Sequence, residues 1–230
     1  MKKILSLLLL GVGFTACFGQ SGIILSSDNM LEGSLLQERI NSSKMGKTLT
    51  YDDILGSPYV DKNFREAKIA DGYQNLPVRY NSYKDEVEFK GNSGIMVIPK
   101  EQKFNTIEIL DPSIILVYLN TNDENSGYFY KLNNGKILLY KKIITKFIDV
   151  IPASSSYTED KPANFKTLDP IYYIQIEENK FIKKPKTKKD FLNQIPSDKK
   201  EILNTYFNNN KVKFDKEEDL KKLVQFLDQN

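Results

Sequence analysis

The chain has 230 residues, is 40% hydrophobic and 27% charged, and sets 33 Lys and Arg against 30 Asp and Glu. These are the proportions of a globular protein with a core of its own, enough for one large or two small domains. It holds no histidine, no tryptophan and one cysteine, Cys17, which removes Ser-His-Asp and Cys-His catalysis, histidine acid–base chemistry and the usual zinc, copper and haem ligand sets.

Residues 1–19 read as a bacterial export signal. Lys2 and Lys3 form a positive start, residues 4–14 carry no charge, and Thr15-Ala16-Cys17-Phe18-Gly19-Gln20 supplies small residues at a cleavage site. The apolar run is short for a bilayer span, which needs roughly 20 residues. Two cuts fit this pattern. Phe14-Thr15-Ala16-Cys17 resembles a lipobox, whose cysteine would be lipidated, although Phe14 stands where an aliphatic residue is usual. A cut after Gly19 instead releases a soluble chain beginning at Gln20, and this is the preferred reading. Neither cut leaves a thiol for disulfides, so the fold must hold without them. Losing Lys2 and Lys3 lowers the basic count from 33 to 31, against 30 acidic side chains. That near balance argues against a nucleic-acid partner. Arg39, Arg65 and Arg79 are the only arginines, so an arginine cluster for bidentate phosphate or carboxylate recognition is not expected.

Further along, Leu31, Leu35, Leu36 and Ile40 have the spacing of a short amphipathic helix. Strand-like runs then follow at 64–70, 76–80, 85–90, 94–98, 104–110, 114–119, 127–132, 136–151, 171–177 and 180–184. Turn residues separate them: Asp71-Gly72, Gly91-Asn92, Asp111-Pro112, Asn134-Gly135 and Glu178-Asn179. Val87 and Phe89 alternate with Glu86, Glu88 and Lys90, which makes one face of that strand wet. Residues 114–119 have no polar face and predict a central strand. The 136–151 run is long for one strand, and Lys141-Lys142 predicts a bulge or bend. Residues 152–170 read as the longest loop, either functional or mobile. The short gaps between strands imply an antiparallel meander, curled into a sandwich or an open barrel.

After Pro185 the period becomes helical. Thr187-Lys188-Lys189-Asp190 forms a capping box ahead of Phe191 and Leu192. Pro196-Ser197 opens a second helix with Ile202, Leu203, Tyr206 and Phe207 on one face. Asp215-Lys216-Glu217-Glu218 opens a third, whose stripe is Leu220, Leu223, Val224 and Leu227. The expected fold is therefore α+β, with a signal peptide at 1–19, an antiparallel β domain at 20–185 and a helical segment at 186–230.

Few groupings of residues suggest chemistry. A hairpin over 76–89 would bring Arg79 to Glu86 or Glu88, either as a carboxylate site or, more ordinarily, as a cross-strand ion pair worth roughly 0.2–1 kcal/mol. The basic run 183–189 could meet acidic lipid headgroups or phosphates, but such runs are more often solvated linkers. Residues 120–127 place oxygen ligands at alternate positions without the order of a calcium loop, so a hairpin loop is favoured. Ser197-Asp198-Lys199-Lys200 matches Ser-x-x-Lys but lacks its partner motifs. The thirteen tyrosines and thirteen phenylalanines are expected in the core, while an exposed aromatic patch would mark a glycan or peptide groove.

Gly56-Ser57-Pro58-Tyr59-Val60, followed by Leu76-Pro77-Val78-Arg79-Tyr80-Asn81 and Asp85-Glu86-Val87-Glu88-Phe89, resembles a set of small exported proteins of Bacteroidota-type bacteria, in which a lysine-rich helical tail like 188–227 often follows. The resemblance implies a β-rich envelope protein of uncharacterised function, and no catalytic residue carries over from it. The expectation is a non-catalytic binding or assembly protein of the cell envelope, with an envelope protein or glycan as partner and no cofactor. Membrane contact is expected only if Cys17 is lipidated. The alternative is a carboxylate-dependent glycan hydrolase, for which Asp85, Glu86 and Glu88 are the acids to examine. It requires two acids roughly 5–9.5 Å apart in one cleft, one with a raised pKa.

Overall fold

The computed structural model describes residue 51, residues 54–155 and residues 157–229. The expected export signal at 1–19, Cys17 and the expected amphipathic helix at 31–40 lie outside these.

Among the described residues, twelve strands and three α-helices follow one another. The strands are β1 (Arg65–Lys68), β2 (Leu76–Asn81), β3 (Glu86–Gly91), β4 (Gly94–Val97), β5 (Thr106–Ile109), β6 (Ile114–Leu119), β7 (Gly127–Lys131), β8 (Leu138–Lys142), β9 (Thr145–Ile148), β10 (Asn164–Thr167), β11 (Ile171–Glu177) and β12 (Lys180–Lys183). The helices are α1 (Lys188–Gln194), α2 (Lys200–Asn209) and α3 (Glu217–Gln229). Ten strands form one antiparallel sheet in the order β12-β11-β8-β7-β6-β5-β1-β2-β3-β4, and β9 and β10 pair separately. The sheet is not a closed barrel. Short turns join most neighbours, as an antiparallel meander requires.

One face of the sheet carries most of the core. Tyr118, Tyr128 and Tyr130 point to the same side as Leu116, because residues two apart share a face. The sheet curls until β2 meets β7, with the Tyr80 ring edge-on to Tyr128 at 6.2 Å and to Tyr130 at 5.9 Å. Ala67, Val78, Val87, Ile107 and Leu116 fill the space between. On the opposite face Phe129, Tyr140 and Tyr173 form a separate buried cluster, so Tyr172 and Tyr173 do point oppositely.

The helices complete the core at the other end. Leu139, Tyr172, Ile174 and Ile182 of the sheet pack against Phe191, Leu203, Leu220, Leu223, Val224 and Leu227 in one cluster. Fully burying each such side chain is worth about 1.5–3 kcal/mol. The Thr187 hydroxyl caps α1 by accepting from the Asp190 N–H at 3.1 Å. The last helix is tied at both ends: Lys141 donates to Glu217 at 2.7 Å, and Asp228 accepts from the Ile137 N–H at 2.8 Å.

Two sequence expectations are revised. The 136–151 run is two strands, with the bend just beyond Lys141-Lys142, where β9 leaves the main sheet for β10. The 152–170 segment is not wholly loop, since β10 lies inside it and Phe165 is buried against Ile54 and Ala163. Its four residues, Asn-Phe-Lys-Thr, are too few and too polar to show a period of their own.

Candidate functional site

The three blocks that carried the resemblance come together on the outer face of β2 and β3. Arg79 stands directly opposite Glu88. Its Nε donates to Glu88 Oε2 at 2.8 Å, and a guanidinium NH2 group donates to the Tyr59 hydroxyl at 2.7 Å. Asn81 Nδ2 donates to the other carboxylate oxygen at 3.1 Å. The guanidinium lies over the Tyr59 ring at 3.8 Å and the Phe64 ring at 4.4 Å. Segment 57–59 is held there because the Ser82 and Tyr83 N–H groups both donate to the Pro58 carbonyl. Burial, and then the charge of Glu88, push the Tyr59 phenol above its ordinary pKa, so it stays protonated.

Of the two partners the sequence offered, Arg79 takes Glu88. The pair is not the exposed one that the surface estimate assumed, since the Arg79 side chain is 15% exposed and that of Glu88 5%. Tyr59 and Phe64 lie against the guanidinium, and the segment that carries Tyr59 is joined to β10 through Leu55 and Asn164; nothing local in 76–89 announces such a cover. Glu86 is half-buried on the same face, and burial raises its pKa.

Asp85 sits in the β2–β3 turn in the left-handed region, φ 56°. It accepts from Lys142 Nζ at 2.8 Å, from the Tyr80 hydroxyl at 2.7 Å and from the Tyr128 N–H at 3.2 Å. Lys100 lies at 3.8 Å from its second oxygen. The Lys142 side chain is only 6% exposed and lies over the Phe129 ring at 5.1 Å. Burial lowers its pKa, and Asp85 opposes that shift. The Lys141-Lys142 pair thus splits to opposite faces of β8, each lysine meeting a carboxylate from a distant segment.

The 120–127 segment is a hairpin loop. Asp123 accepts from Tyr173 at 2.6 Å, from Thr121 at 2.7 Å and from the Asn125 N–H at 2.9 Å, and Lys183 stands 3.8 Å away. Its oxygens are therefore engaged by donors of this chain. Ser197 is exposed at the start of a 3-10 turn that leads into α2. Large hydrophobic side chains exposed among the described residues are Leu55, Val60, Tyr73, Leu110, Ile151 and Tyr157, which include two aromatics. The remaining described rings pack as the core reading expects.

The basic run lines a wide groove. About 540 Å³ lies between the start of β11, the 184–188 segment and the 212–215 turn ahead of α3. Four lysines line it, Lys184, Lys186, Lys188 and Lys213, with Asp215 as the acid. Pro170, Ile171, Tyr172, Pro185, Val212 and Phe214 supply its apolar surface. The sequence pointed to the run but not to Lys213 or Val212, which only the packing of α3 brings alongside. A second groove, about 300 Å³, runs beside β1 and β5 between Lys68, Asp71, Lys103 and Glu108. A small cavity of about 80 Å³ lies inside the curl, lined by Val78, Tyr80, Ile109, Ile114 and Tyr130 among others. Asp85, Glu86 and Glu88 line none of these three spaces.

No family model matches the chain, and neither a curated protein nor a solved structure shows significant similarity to it.

Proposed function

We propose that the protein is a non-catalytic binding or assembly protein of the bacterial cell envelope. The observation that carries this reading is the state of its carboxylates. Glu88 is held by Arg79 and Asn81, Asp85 by Lys142, Tyr80 and a backbone N–H, Asp123 by Tyr173 and Thr121, and Glu217 by Lys141 and Lys221. Acids so engaged tie distant segments of the scaffold together, and Asp85, Glu86 and Glu88 line none of the three spaces described above. The export pattern of residues 1–19 supports the envelope, and the near balance of charge supports a partner other than nucleic acid.

The runner-up reading, a carboxylate-dependent glycan hydrolase, draws on one feature. Glu86 has a raised pKa and shares the β3 face with Glu88. Against it, the Glu88 side chain is 5% exposed, and neither acid lines the three spaces described above, whereas a glycosidase pair must flank a bond held in a cleft.

Affinity capture from the native envelope, with mass spectrometry of the mature N-terminus, tests the first reading. A specific partner retained on the column, together with an N-terminus at Cys17 or Gln20, supports it. Cleavage of envelope glycans that Glu86→Gln abolishes would replace it with the hydrolase.

A further inference from the structure

We infer that the groove between β11, the 184–188 segment and the 212–215 turn is a binding site for a phosphorylated sugar of an envelope glycan. This rests on the binding-protein reading above and names the ligand class.

Charge is the first argument. Of the charged side chains that line the groove four are lysines, Lys184, Lys186, Lys188 and Lys213, and one is an acid, Asp215, while Glu124, Asp190 and Asp219 stand outside the lining. Two of the four are committed elsewhere: Lys184 pairs with Glu124, and Lys188 donates to Asn208 at 3.3 Å. The side chains of Lys186 and Lys213 have no ion pair or hydrogen bond among the described residues, and both residues are exposed. Their backbones are nonetheless fixed, because the Lys186 N–H donates to Asp190 at 3.0 Å and the Lys213 N–H to Asp219 at 2.9 Å. Two free cations on anchored segments, facing one groove from different parts of the chain, form a seat for an anion. Lysine ammonium groups are point charges without the planar fork of arginine. They suit a phosphate monoester, which carries about −1.5 to −2 at pH 7 and three acceptor oxygens.

Size and surface supply the second argument. About 540 Å³ is far more than an inorganic ion fills and lies within the range of small-molecule sites. Ile171, Val212 and Pro185 give the groove an apolar side against which the C–H face of a sugar ring packs. The same charges could meet the surface of an anionic bilayer, but a concave groove with an apolar floor fits a discrete headgroup better than a flat sheet of charge.

The test is titration of the purified full chain with glucose 6-phosphate, glucose, inorganic phosphate and vesicles of phosphatidylglycerol, followed by calorimetry. Two variants accompany it, Lys186→Glu with Lys213→Glu, and Lys166→Glu with Lys180→Glu as a control on exposed strand positions. Saturable binding of glucose 6-phosphate, tighter than that of inorganic phosphate or glucose, and weakened about tenfold or more in the groove variant only, is the expected result. Equal loss in both variants, equal affinity for inorganic phosphate, or binding to vesicles alone would each overturn the sugar-phosphate site. Release of free phosphate or cleavage during the titration would instead overturn the non-catalytic reading, while leaving the groove as the place of binding. Unchanged thermal unfolding of the groove variant separates a lost site from a lost fold.

Discussion

Lys142 Nζ lies 2.8 Å from Asp85 Oδ1, so the last residue of β8 is joined to the turn between β2 and β3. These elements are far apart in strand order and meet only because the sheet curls. The contact therefore belongs to the curvature of the sheet and to no single hairpin. The hydroxyls of Ser82 and Thr145, 2.7 Å apart, join the same turn to the start of β9.

The two members of this pair should not contribute to stability independently. Asp85→Asn keeps a residue that tolerates φ 56° but leaves the Lys142 ammonium buried without its counter-charge, a loss of about 3–5 kcal/mol. Lys142→Met should cost less, because Asp85 is partly exposed and keeps Lys100, Tyr80 and the Tyr128 N–H. In urea unfolding, the double variant is expected to lie well short of the sum of the singles. Strict additivity would mean that the two charges are not coupled.

Gly127 tests the same corner without touching charge. It has φ 146°, and a Cβ there would sit 1.7 Å from Asp85 Oδ2 and 2.6 Å from Lys142 Nζ. Gly127→Ala must strain the backbone and push the ion pair apart together. The expected cost is about 2–4 kcal/mol, from backbone strain and a disturbed buried pair. Gly72→Ala, which shares a positive φ but has nothing within 4 Å of its Cβ, isolates the backbone part and should cost less. Equal losses for the two in thermal unfolding would show that the corner is not tightly packed.

The two acids of β3 should respond in opposite directions to neutralisation. Glu88→Gln strands the Arg79 guanidinium in a largely buried position and should destabilise by about 3 kcal/mol or more. Burial already disfavours the charged form of Glu86, so Glu86→Gln should leave stability at pH 7 unchanged or slightly raised. Chemical denaturation of the two variants side by side reads this contrast. A large loss for Glu86→Gln would mean that its carboxylate is anchored as firmly as that of Glu88.

The sequence carried much of this fold and little of its covering. Alternation and turn residues located β2, β6, β11 and the stripe of α3, because each has several residues of one period to itself. Arg79 and its acidic partner were legible from the hairpin between them. That Glu88 and not Glu86 takes the guanidinium depends on register, and the Tyr59 ring that lies against the guanidinium comes from a segment outside the hairpin. That contact joins residues far apart in the chain, where pattern has no reach. The basic run 183–189 was visible, but its groove exists only where α3 brings Val212 and Lys213 against β11.

Acid should loosen the protein through carboxylates held below their ordinary range. At Asp123 burial raises the pKa, but hydrogen bonds from Tyr173, Thr121 and the Asn125 N–H outweigh it, and the net shift is down. At Glu217 burial is likewise outweighed, by Lys141 and Lys221. A depressed folded pKa gives stability that is present above the unfolded value, about 3.9 for Asp and 4.3 for Glu, and is lost as pH falls through the folded value. Glu86 acts with the opposite sign, because its raised folded pKa means that the folded state takes up that proton first and gains as pH falls. The net expectation is a decline beginning below about pH 5. Asp123→Asn should lower stability at pH 7 and flatten the decline, whereas Glu86→Gln should steepen it by removing the opposing uptake. Urea midpoints from pH 7 to pH 3 for the parent and both variants decide this. An unchanged slope in Asp123→Asn would mean that Tyr173 and Thr121 hold the loop without help from the charge.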